Sequence, residues 1–98
     1  MTALRTFLHY PEEVLDYALP FALDAGDSLS PGAVWTIHQG DDQLQLPNTG
    51  EHIQYVAGNV AVLWVTGGTP GALYVLRCAA PTAEGRMLVD EIAIQVQV

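Results

Sequence analysis

The stretch from Thr66 to Cys78, TGGTPGALYVLRC, concentrates the residue types that most invite a chemical reading. A phosphate-binding loop needs a lysine and a following helix whose amino end faces the anion; this chain has no lysine, and an alternating strand pattern follows the glycines. The segment therefore reads as a corner between two strands: Gly67, Gly68 and Gly71 supply positive φ, Pro70 fixes a turn position, and Tyr74 stands where its hydroxyl can tie back to the loop. His9, His38 and His52 share no metal-ligand spacing. Cys78 is single and mid-strand, beside neither a base nor a second thiol, so it reads as a small buried hydrophobe. Ser28 and Ser30 lie in a turn, and no triad is visible. Asp24 with Asp27, and Asp41 with Asp42, lack the alternating ligand pattern of a calcium loop and read as solvated turn residues. Glu12, Glu13 and Asp16 have no evident pocket in which to act as an acid/base pair. These residues predict no enzyme, no metal and no cofactor.

The elements that carry them fit a single small domain. Ninety-eight residues suffice for one two-layer core, and half of them are apolar. Eleven acidic residues face only Arg5, Arg77 and Arg86, for a net charge of −8. Such a field repels phosphate backbones and anionic lipid, so neither nucleic acid nor a membrane is an expected partner, whereas a basic protein surface is favoured. The start, MTALRTFLHYPEE, is interrupted by His9, Pro11 and two glutamates, and no apolar run approaches about 18 residues. Synthesis in the cytoplasm without a signal peptide is the expectation.

The C-terminal third has the clearest pattern. Ile92, Ile94, Val96 and Val98 alternate with Glu91, Gln95 and Gln97, a period of two that marks a half-buried strand. Leu73 to Ala80 forms its partner across a tight loop at Ala83-Glu84-Gly85, with Gly85 in the left-handed region. Setting Thr82 opposite Arg86 pairs Arg77 with Glu91, Leu76 with Ile92 and Tyr74 with Ile94. The final strand is either paired on both sides or adds its last residues to a neighbour's sheet. Further strands are expected at 59 to 66, 33 to 37 and 14 to 23, the last an edge strand or a bulged one because Pro20 removes a ladder donor. Short strands at 43 to 46 and 52 to 56 flank the turn PNTG. Trp35 and Trp64 are expected to pack between two sheets. The predicted fold is all-β: an Ig-like antiparallel β-sandwich of six to seven short strands over residues 13–98, preceded by a short N-terminal arm, residues 1–12, in which Phe7, Leu8 and Tyr10 are candidate docking residues.

The order of short motifs resembles a family of small proteins from tailed bacteriophages. Pro11-Glu12-Glu13-Val14-Leu15-Asp16-Tyr17, Asp27-Ser28-Leu29, Trp35-Thr36-Ile37, the run from Trp64 through Gly71 with Tyr74, and Thr82 with Gly85-Arg86 are together similar to the fiber-tail adaptor proteins. The resemblance implies an immunoglobulin-like, non-enzymatic virion protein that connects tail and fiber components, in several copies on a symmetric assembly. A capsid decoration protein and, more remotely, a carbohydrate-binding β-sandwich are the alternatives. The segment from His38 to Ala57 is rich in acidic and polar turns, which makes Asp41, Asp42 and Asn48 a candidate specificity loop.

Overall fold

The hairpin at the end of the chain sets the frame. A computed structural model describes residues 4–98, with strands β1 (Arg5–His9), β2 (Val14–Pro20), β3 (Val34–Gln39), β4 (Leu44–Gln45), β5 (Tyr55–Ala57), β6 (Val60–Gly67), β7 (Leu73–Pro81) and β8 (Met87–Val96). β7 and β8 pair antiparallel in the register the alternation predicts, with Arg77 opposite Glu91, Leu76 opposite Ile92 and Tyr74 opposite Ile94. Thr82 donates its N–H to the Arg86 carbonyl at 2.8 Å, and Gly85 closes the turn at φ 86°.

Two sheets stack around this hairpin. The first has strand order β1-β8-β7-β3. In the second, β2 and β4 lie on either side of β6, and β5 pairs with β6 as well. β5 meets Val60 to Val62, while β4 meets Thr66 and Gly67, so the two short strands share one edge of β6 end to end. Inward side chains interdigitate as alternation requires: Leu19, Trp35, Leu63, Leu76, Ile92 and Ile94 are all buried. Each large aliphatic side chain so buried contributes about 1.5–3 kcal/mol. β2 is an edge strand, with Pro20 at its last paired position, where a missing N–H is tolerated. The all-β Ig-like sandwich is the architecture observed.

Three expectations need correction. The segment read as an arm contributes a strand: β1 lies parallel to β8, with Arg5 opposite Ile92 and His9 opposite Val96. His9 is fully buried, so deletion of residues 1–10 removes a strand and part of the core; the first three residues of the expected arm lie outside the described residues. The parallel pair also makes the first sheet mixed. Trp64 is the second correction, for it sits on the outer face of β6, between the inward Leu63 and Val65, with its ring centroid 4.6 Å from that of His52. The third concerns the turn between β4 and β5, which is centred two residues later than PNTG: His52 donates its N–H to Thr49 at 3.1 Å. β8 ends at Val96, flanked by β1 and β7, which settles the open choice for the last strand in favour of pairing within the domain.

Candidate docking surfaces and the residues that hold them

The glycine corner is held by a hydrogen-bonded knot on a buried tyrosine. The fully buried Tyr74 extends its hydroxyl to the corner, where it accepts the Thr69 N–H at 2.9 Å and donates to Asp41 Oδ1 at 2.5 Å. Asp41 also accepts the Thr69 hydroxyl at 2.8 Å and the Gln43 N–H at 2.9 Å. The Tyr74 hydroxyl, the Gln43 amide and the Thr69 hydroxyl together hold the Asp41 carboxyl below the ordinary aspartate range. Gly40 makes the close approach possible, since a Cβ there would fall 2.4 Å from the Tyr74 ring. Gly67, Gly68 and Gly71 all have positive φ, and the Gly71 N–H donates to the Val96 carbonyl at 2.9 Å. The arrangement is a brace between loops, with a strand where a phosphate loop needs a helix.

This knot changes the standing of the candidate specificity loop. Asp41 anchors the corner, and Asn48 Oδ1 accepts the Gln54 N–H at 2.8 Å across the turn between β4 and β5. Asp42 accepts a hydrogen bond from the side chain of its neighbour Gln43 at 2.9 Å. Two of the three candidates therefore hold local backbone and are engaged before any partner arrives.

The β1 residues divide by strand alternation. Phe7 points inward, its ring 4.9 Å from that of Tyr17, which removes it from the docking set. Leu8 and Tyr10 stay outside, at 66% and 53% exposure. His9 is buried between them; its Nδ1 lies 3.0 Å from the Tyr17 hydroxyl, and its Nε2 has no hydrogen-bond partner among the described residues. Burial pushes the His9 pKa below 6.5, against the opposing pull of Glu13 and Glu12 and of the Gly67 backbone. The chain then turns at Tyr10 to Glu13, where each residue's N–H is bonded to the other, and crosses to the second sheet.

Several other titratable residues hold the structure together. Arg77 meets Glu91 at 2.9 Å on the outer face of the first sheet. Arg86 gathers Glu84 at 2.8 Å and Asp27 and Asp24 at 3.1 Å each. Asp27, expected to be solvated, has a side chain only 1% exposed and accepts the Ser28 and Glu84 N–H groups. Burial alone would raise the Asp27 pKa, but hydrogen bonds from Thr82, Ser28, Glu84 and Arg86 outweigh it and the pKa is lowered. Cys78 is buried, and desolvation, with Asp90 nearby, pushes its pKa up to about 12, the signature of an inert thiol. Among the described residues no group of three His, Cys, Asp or Glu side chains is placed to hold a metal.

The described residues define a small acidic β-sandwich domain with large apolar side chains, Leu8 and Tyr10 among them, exposed at its surface. The family comparison then makes the assignment: residues 9–95 match the model of the podophage GP4 fiber-tail adaptor protein gp77, and the chain belongs to that family. It is thereby a structural adaptor protein of the virion. Among solved structures, the PKD domain of the KIAA 1837 protein, determined in solution, is similar at TM-score 0.53 and 15% identity, covering 98% of this chain and 81% of that one. That likeness concerns the fold alone. No curated protein matches the sequence.

Proposed function

We propose that this domain joins tail and fiber components of a podophage through protein-protein contacts, without catalysis, in several copies on a symmetric ring. On this reading it is made in the host cytoplasm and docks one neighbour through Leu8 and Tyr10. The single observation that supports the docking site is the pair of large apolar side chains left in water on either side of the buried His9: Leu8 on edge strand β1 and Tyr10 just past its end. Aromatic and aliphatic anchors of this kind carry much of the energy of an interface. Burial of Leu8 alone would contribute about 1.5–3 kcal/mol.

Leu8→Asp tests the reading. The variant should melt within about 4 °C of the parent, since an exposed substitution away from special features changes stability by no more than about 0.5 kcal/mol. Phage carrying it should assemble particles deficient in fibers. Fully fibered particles from a folded Leu8→Asp protein would refute the docking site.

A further inference from the structure

β3 is the strand edge that the sequence leaves unguarded. Natural edges are blunted by charge, proline or shortness. β2 has Asp16 and Pro20, β1 has Arg5, and β4 and β5 are two and three residues long. β3, VWTIHQ, contains no Pro, Asp, Glu, Lys or Arg, and among the described residues its only partner strand is β7. Its register is regular from Val34 to Ile37 and shifts only beyond that point. Alternate N–H and C=O groups along this stretch therefore face outward with no strand to receive them.

A cleft lies beside the same stretch. Its volume is about 230 Å³, with Pro31 to Ala33 and Trp35 on the β3 side and Gln54 to Val56 on the β5 side. It opens where the edges of the two sheets face each other. Trp35 forms a wall at 7% exposure, and Tyr55 stands at the rim at 53%. Small-molecule sites run from about 300 Å³ upward, so the space suits one or two side chains better than a free ligand.

We propose that an extended, basic segment of a partner protein adds to the first sheet as a strand along β3 and seats its apolar side chains in this cleft. The backbone supplies the geometry: an added strand lies about 4.8 Å from β3, and every second side chain then points between the sheets, toward Trp35 and Val56, with Tyr55 at the rim. Charge supplies the partner's sign. The chain has a net charge of −8, and Arg77 and Arg86 are engaged by Glu91 and by Asp24, Asp27 and Glu84, so the field favours lysine and arginine. The strand addition stands on the edge and the cleft; only the partner's identity as another virion protein rests on the adaptor reading. Under that reading β3 provides the second contact a bridge needs, on the edge opposite β1 and about 14 Å across the sheet, taken as three strand spacings.

The probe is a ten-residue peptide alternating valine and lysine, titrated into the 15N-labelled full chain, beside the same peptide N-methylated at alternate residues. Binding should shift the amides of Val34 to Ile37 and the Trp35 indole, and protect β3 amides from exchange. The methylated peptide and the Tyr55→Ala variant should each bind about tenfold more weakly, the loss of about 1.4 kcal/mol expected of a missing anchor. Equal binding of the methylated peptide, shifts confined to other edges or loops, or no binding at millimolar peptide would overturn the proposal. Concentration-dependent protection of β3 without peptide would overturn it in favour of a second copy as occupant. Failure at β3 together with fiber loss in Leu8→Asp leaves the adaptor reading standing; binding at β3 with fully fibered Leu8→Asp particles removes the β1 site alone.

Discussion

Replacing Tyr74 by phenylalanine removes one oxygen from a fully buried side chain and with it two hydrogen bonds, one from the Thr69 N–H and one to the Asp41 carboxylate. The ring stays, so no cavity forms. A neutral hydrogen bond contributes about 1 kcal/mol net and one to a charged acceptor about 1.5–3 kcal/mol. Thr69 is exposed, and water replaces part of its loss. The expected cost of Tyr74→Phe is therefore about 2–3 kcal/mol. For a domain of this size each kcal/mol moves the melting temperature by about 4–8 °C, which puts the drop at about 10–20 °C by calorimetry or circular dichroism. A thermodynamic cycle makes the test specific. Asp41→Ala should lose part of its effect in the Tyr74→Phe background, because one of the three hydrogen bonds that Asp41 accepts is shared with Tyr74. A drop below about 4 °C for Tyr74→Phe, or an undiminished Asp41→Ala effect, would refute the account of the corner as a knot on Asp41.

Gly40→Ala and Gly85→Ala separate steric from conformational cost. Both glycines have positive φ, but a Cβ at Gly85 meets nothing within 4 Å, whereas one at Gly40 collides with the Tyr74 ring. Gly85→Ala should cost about 1 kcal/mol in denaturant titration and Gly40→Ala several times that; equal costs would count against the packing described. Arg77→Ala should lower stability by no more than about 1 kcal/mol, because its pair with Glu91 is partly exposed on both sides. A loss above about 2 kcal/mol would mean that the pair is screened far less than its exposure implies. His9, held neutral by burial, has a folded pKa below its unfolded value of 6.5. Its contribution is fully present above about pH 6.5 and is lost as pH falls through the folded value. Urea midpoints should fall between pH 7.5 and 5.5, before most carboxylates titrate, and His9→Phe should flatten that difference; an unchanged difference would exclude His9 as its source.

What could be read from the sequence followed the range of the interactions. The β7-β8 register was legible because Ile92, Ile94 and Val96 alternate cleanly and Gly85 fixes the turn only a few residues from the first pair. β1 was not legible, because the exposed Arg5 and the buried His9 share the alternation of the inward Phe7 while Leu8 faces water, an inversion of the usual pattern. Its burial depends on Tyr17 in the other sheet and on a parallel pairing with β8 at the far end of the chain, neither of which leaves a local signal. Trp64 lies in a run apolar on both faces, so periodicity could not assign its side. The role of Asp41 depends on a tyrosine 33 residues away, and DDQ alone reads as a turn. The proposed docking residues were half legible: large apolar side chains near the start made them candidates, but separating the inward Phe7 from the exposed Leu8 and Tyr10 required the strand.

The most direct test of the adaptor account is the number of copies of this chain per purified particle, measured by quantitative mass spectrometry against the major capsid protein. The account predicts a count set by a tail ring, from a few to a few dozen copies. A count in the hundreds, comparable to the capsid protein, would contradict it and make the domain a decoration of the shell.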